Sequence, residues 1–166
     1  SFFLTGGLAK VKGRGEKVVV LPSSPLLHFV LLKPEFNIST PWAYAVFRKN
    51  PQPPTGDTKM LMKALEEGDL EKIGKALGNN FEKPIFSHYP SLLHYKNKLL
   101  AGGALGAAMS GSGSTIFGLF PSHFAALDGA RKIGEELPEL EIFVAKSINQ
   151  RQILGQEKAI AMEKLR

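Results

Sequence analysis

The chain has 166 residues, 43% of them hydrophobic, enough to bury a core in one domain, and it contains no cysteine, which excludes a disulfide framework and thiol catalysis. Its net charge of +6 comes from 21 Lys/Arg against 15 Asp/Glu spread along the sequence without a basic block, so a solvated surface is the plainer reading than a nucleic-acid or membrane patch. No apolar run reaches the ~18 residues of a membrane span and no signal-peptide pattern is present, so the sequence reads as a soluble, cytoplasmic protein.

The first elements are extended. In "FFLTGGLAKVKGRGEKVVVLP" Leu8, Val11 and Val18 to Val20 supply β-formers, and Gly13, Arg14 and Gly15 supply a turn, which predicts two strands. "HFVLLKP", residues 28–34, is a continuous apolar run closed by a proline and predicts a buried strand. In "NISTPWAYAVF" Ser39 or Thr40 can cap a helix with Pro41 in its first turn, predicting a helix over 41–48.

A proline-rich loop, 50–57, then leads to Thr58, which can cap a helix through "KMLMKALEEG". A shorter helix should begin at Asp69 and stop near Gly78. "YPSLLHYKNKLLAGG" places Leu92, Leu93, Lys96, Leu99 and Leu100 at near-helical spacing, with Gly102 and Gly103 as the stop. Strands follow at 105–109 and 115–120, then a helix capped by Ser122 and running to Leu137, a strand in "EIFVAKSI", and a last helix near Gln150. Its apolar side would hold Ile153, Ile160, Ala161 and Leu165.

From residue 28 the order is strand, helices, strand, strand, helix, strand. That is an α+β, ferredoxin-like split β-α-β sandwich with extra helices inserted in its first crossover. Fold class by itself implies no function.

"MSGSGSTIFG", residues 109–118, concentrates backbone freedom between apolar flanks. It is not a nucleophile elbow, because the glycines adjoin Ser112 instead of standing two residues away. It is not a Walker loop, because Ser112 stands where the lysine belongs. It fails the dinucleotide fingerprint, since Ile116 replaces the third glycine and a strand follows. Two readings stay open. The glycines could merely close a hairpin, or the hydroxyls and exposed N–H groups could face an anionic or polyhydroxy ligand. The four histidines, His28, His88, His94 and His123, show no metal-ligand spacing, so no metal site is expected.

"MSGSGSTIFGLF" resembles the third motif of the galactokinase, homoserine kinase, mevalonate kinase and phosphomevalonate kinase (GHMP) superfamily. With "FFLTGGLAKVKGRGEKV", "LLKPEFNISTPWAY" and "NNFE", the chain resembles, over residues 1 to about 148, the family of 4-diphosphocytidyl-2-C-methyl-D-erythritol kinases. That resemblance implies an ATP- and Mg-dependent phosphotransferase of non-mevalonate isoprenoid synthesis acting on a cytidine diphosphate sugar alcohol. It implies a GHMP C-terminal domain over 25–166, preceded in 1–24 by strands left from the N-terminal, ATP-binding lobe.

By the same resemblance Thr40, Pro41 and Tyr44 border the substrate, with the Tyr44 ring stacked on cytosine, and Ser110, Gly111, Ser112, Gly113 and Ser114 line the cleft. Tyr44 lies one helical turn beyond Thr40, so both can face one cleft. Trp42 and Tyr44 are otherwise ordinary packing aromatics. The family's early lysine, phosphate loop and catalytic aspartate have no counterpart here; the aspartate would lie just before Ser1. The partners expected are therefore the small-molecule substrate and that missing lobe, with ATP and Mg held mainly by the lobe and the isolated chain inactive. Alternatives are another GHMP kinase lobe with a mevalonate- or homoserine-like substrate, or a non-catalytic ligand-binding module. A basic ferredoxin-like nucleic-acid binder would need aromatics exposed on the sheet, and the strands offer mostly aliphatics.

Overall fold

A computed structural model describes residues 8–13, 16–20 and 25–148. Leu27–Lys146 form one compact unit, and the hairpin of β1 (Ala9–Lys12) and β2 (Lys17–Val20) belongs to another. The hairpin is antiparallel, with Ala9 opposite Val20 and Lys12 opposite Lys17.

In the larger unit β3 (His28–Lys33) is followed by α1 (Thr40–Lys49), α2 (Thr58–Glu67), α3 (Leu70–Ala76), α4 (Glu82–Phe86) and α5 (Pro90–Ala101). Then come β4 (Gly106–Met109), β5 (Ile116–Phe120), α6 (His123–Glu136) and β6 (Glu141–Lys146). The sheet runs β4-β5-β3-β6 with every neighbouring pair antiparallel. Counting from β3, that is the strand order of the expected ferredoxin-like sandwich, with α1 to α4 as the insertion.

Alternation decides which side of the sheet is covered. Val30 and Leu32 on β3, with Ile116 and Phe120 on β5, point to one face and are fully buried. Helices α5 and α6 close that face with Leu92, Tyr95 and Leu99 from α5 and Ala126 and Ile133 from α6. The spacing 92, 95, 99 is one helical stripe. Leu93 and Leu100, expected on that stripe, are instead 47% and 43% exposed, because Tyr95 takes the inward position between Leu92 and Leu99. Burying one side chain such as Phe120 contributes about 1.5–3 kcal/mol.

Helix α3 rests on β4 at backbone distance: a Cβ on Gly106 would fall 2.1 Å from the carbonyl oxygen of Gly74. The helix starts follow side-chain chemistry. Asp69 accepts from Lys72 N at 3.0 Å, and Ser122 Oγ accepts from Ala125 N at 3.1 Å. At α2 the cap is Asp57, one residue before the expected Thr58; one carboxylate oxygen accepts from both Lys59 N and Met60 N. The short helix α4 was not anticipated. The helix expected near Gln150 lies outside the described residues.

Candidate functional site

The glycine-rich loop joins β4 to β5. Its ends close as a hairpin, with Ser110 N–H donating to Thr115 O and Gly113 N–H to Ser110 O, both at 2.9 Å. Gly111 and Gly113 have φ of 55° and 86°, left-handed values that side-chain-bearing residues rarely adopt. At Gly113 a Cβ would also stand 2.8 Å from Met109 Sδ. The turn reading of this stretch is thus met; ligand contact is a separate matter of what the loop faces.

Three segments converge on the loop. From the first, Thr40 Oγ1 and Ser112 Oγ lie 2.9 Å apart. The start of α1 departs from the expected capping: Ser39 occupies the cap position, yet neither it nor Thr40 caps the helix through its side chain. Thr40 spends its hydroxyl on the loop. Ser114 departs from the expectation of a cleft-facing residue. Its side chain is 4% exposed and its hydroxyl donates to Phe36 O at 2.7 Å, tying the loop to the strand-to-helix segment.

The second segment is "NNFE". Asn79 Nδ2 donates to Met109 O and to Gly111 O, each at 2.7 Å, and its Oδ1 accepts from Phe81 N at 2.9 Å. Glu82 Oε1 accepts from Met109 N at 2.8 Å while its Oε2 pairs with Lys96 Nζ at 2.6 Å. Residues 79–82 entered the resemblance without a chemical role. The available signal was a cluster of amide and carboxylate side chains just past the glycine stop at Gly78, where such groups bond backbone.

The third is the exposed face of α1. Pro41 occupies the first helical turn and is exposed, and Tyr44, one turn on, is 50% exposed. The Tyr44 ring meets Phe81 at 4.9 Å with the planes 75° apart, an edge-to-face contact that leaves ring surface in solvent. Trp42 behaves as a packing aromatic, edge-on to His88 and Tyr89 at 5.2 and 5.6 Å. So Thr40, Tyr44 and Ser112 are gathered at one corner, with Phe81 linking Tyr44 to the Asn79 bonds. Beside the loop lies an open cleft of about 520 Å³ whose walls include Asn80, Phe81, Ser110, Gly111 and Phe117, with Thr58 among the lining side chains. Its polar groups are amides and hydroxyls, which bind by hydrogen bonding without a fixed charge.

Known proteins resemble this chain in sequence and in fold. Residues 61–139 match the family model for the GHMP kinases C-terminal domain. A 4-diphosphocytidyl-2-C-methyl-D-erythritol kinase from Pelotomaculum thermopropionicum is 38% identical over 152 residues, covering 90% of this chain and 52% of that protein. A crystal structure of 4-(cytidine 5'-diphospho)-2C-methyl-D-erythritol kinase superposes with a TM-score of 0.66 at 28% identity, over 83% of this chain and 48% of that one. Homoserine kinase from Cytophaga hutchinsonii gives the same TM-score at 25% identity, over 88% and 49%. The chain spans about half the length of the curated relatives it matches. Residues 61–139 thus carry the C-terminal domain of the GHMP kinases, and most of the chain is similar to the matching half of 4-diphosphocytidyl-2-C-methyl-D-erythritol kinases.

Proposed function

We propose that this chain supplies the substrate-recognition lobe of an ATP-dependent kinase that phosphorylates 4-diphosphocytidyl-2-C-methyl-D-erythritol. The observation that carries the reading is the 2.9 Å contact between Thr40 and Ser112, which brings the start of α1 and the glycine-rich loop to one corner. The relative at 38% identity acts, by its name, on that alcohol. Tyr44 offers the cytosine a half-exposed aromatic face, Thr40 a hydroxyl, and Pro41 a rigid wall. Ser110 to Gly113 border the space where the acceptor hydroxyl meets the phosphoryl group, and Ser114 anchors them from below.

In the reaction the substrate hydroxyl oxygen bonds to the γ-phosphorus, the bond to the departing ADP oxygen breaks, and the hydroxyl proton is released. Catalysis of this kind is chiefly positioning and charge stabilisation. Among the described residues no group of three His, Asp or Glu side chains could hold a metal ion, so no step through magnesium is assigned to them. We assign ATP and its metal to the part of the kinase that this chain does not match, and the β1–β2 hairpin to that nucleotide-binding lobe. Among the described residues no helix is long and apolar enough to cross a membrane, in keeping with a cytoplasmic metabolic enzyme.

Replacing Tyr44 by Ala in the whole kinase tests this. Loss of a stacking partner worth ~1–3 kcal/mol raises KM for the cytidine substrate about 5- to 150-fold while kcat changes far less. An unchanged KM would remove Tyr44 from the pocket. The homoserine kinase likeness, equal in TM-score, favours a second reading, a GHMP lobe for a smaller hydroxylated substrate. In that case Tyr44→Ala would leave KM for homoserine or mevalonate nearly unchanged.

A further inference from the structure

Met109 is the last residue of β4, and β4 is the outer strand of the sheet. In an antiparallel ladder, successive residues turn their N–H and C=O alternately toward and away from the partner strand. Ser110 N–H bonds back to Thr115 O on the β5 side, so the N–H and C=O of Met109 point outward, past the edge. Edge groups of this kind are left to water or invite a foreign strand. Here two side chains take both of them. Glu82 Oε1 receives the Met109 N–H and Asn79 Nδ2 reaches the Met109 carbonyl.

The same Asn79 nitrogen also reaches Gly111 O, so one amide spans Ser110 and holds the carbonyls of the residues on either side of it. Its orientation is fixed by chemistry. Turning the amide over would put Oδ1 against two carbonyl oxygens and leave the Phe81 N–H facing a donor. Glu82 is held in turn: its other oxygen meets Lys96, and the two side chains are only 12% and 21% exposed. A carboxylate that must serve a backbone N–H and an ammonium together has little freedom to swing.

We propose that Asn79 and Glu82 are positioning residues of the phosphoryl-acceptor corner. They act as a short substitute strand that sets where the Ser110–Gly113 backbone stands relative to α4 and to the Phe81–Tyr44 contact. The proposal rests on the kinase reading above for its effect on rate, but the loop-holding itself does not. Reacting groups misplaced by about 1 Å cost on the order of 10²-fold in rate, which is the scale at which a loop-setting amide matters.

The test pairs kinetics with amide hydrogen exchange in the whole kinase. Asn79→Ala should lower kcat on the order of 10²-fold with KM for the cytidine substrate nearly constant. It should also speed exchange at Gly111 and Gly113 while Phe117 to Phe120 keep their protection. Glu82→Gln, which retains an acceptor for the Met109 N–H, should keep most of the kcat that Glu82→Ala loses. Parental kcat in Asn79→Ala with unchanged loop exchange would overturn the proposal. So would a uniform rise in exchange across the sheet with kcat and KM both restored on cooling, which is the mark of simple destabilisation. If Asn79→Ala does not fold, the Glu82→Gln and Glu82→Ala pair decides by the same readouts. A parent kinase inert toward the cytidine substrate would defeat the proposed function instead, and the exchange contrast would then decide the loop-holding alone.

Discussion

The body of the larger unit and its glycine-rich corner are built on opposite principles. Between the sheet and helices α5 and α6, side chains such as Phe120, Leu92 and Leu99 are fully buried and carry no polar atom to satisfy. Around residues 109–115, Thr40, Asn79 and Glu82 make directional bonds to the loop or to the strand end beside it, and Ser114 of the loop donates to Phe36 O. Burial is non-directional and tolerates repacking; a hydrogen bond fixes a distance and an angle and adds only about 1 kcal/mol net. The body therefore supplies stability and the corner supplies position. Substitutions in the two regions should show up in different measurements.

Phe120→Ala gives the largest stability effect. A cavity under the sheet should cost about 3–5 kcal/mol and lower Tm strongly. Well below its Tm the variant kinase should keep its substrate KM; a large KM change there would erase the distinction between body and corner. Gly113→Ala probes the corner. A side chain at φ 86° and 2.8 Å from Met109 Sδ should cost about 1–3 kcal/mol and reduce kcat by more than that loss of stability explains. A Tm drop with kcat intact, read by calorimetry and initial rates, would argue that the loop is only a turn.

The smallest effect is expected at the exposed start of α3. Asp69 has its pKa held below the ordinary carboxylate value, first by the Lys72 backbone N–H and then by the Lys72 ammonium. A depressed folded pKa means that its contribution is present above the unfolded value near 4 and is lost as pH falls through the folded one. Thermal melts should show Asp69→Ala below the parent at pH 7, with the gap closing under acid conditions. A gap independent of pH would assign the effect to the helix backbone alone.

Much of this was legible in the sequence because it depends on neighbours. β-Formers, caps and glycine stops mark the strands and most helices, and their order is enough to specify a split β-α-β sandwich. Three features were not. Helix α4 spans five residues with Pro84 inside, too short for a period to register. At α2 two capping residues stand side by side, and only geometry shows that the Asp57 carboxylate serves two N–H groups. On α5 four leucines hid the fact that Tyr95 takes the core position.

The site divides along the same line. Thr40, Tyr44 and the glycine-rich loop came from the motif resemblance, and their convergence is consistent with it. The roles of Asn79 and Glu82 depend on partners 32, 30 and 27 residues away, so no local pattern announces them. Ser114 illustrates the converse. It stands in the same motif as the exposed Ser110, yet faces inward before β5 begins, where its hydroxyl finds Phe36 O.

The most direct test of the account is the specificity of the whole kinase. Initial rates with ATP would be compared for 4-diphosphocytidyl-2-C-methyl-D-erythritol, homoserine and mevalonate at matched concentrations. The account predicts kcat/KM for the cytidine alcohol above the other two by at least about 10²-fold, the scale set by a lost stacking and hydrogen-bonding partner. Equal or greater kcat/KM with homoserine or mevalonate would contradict it.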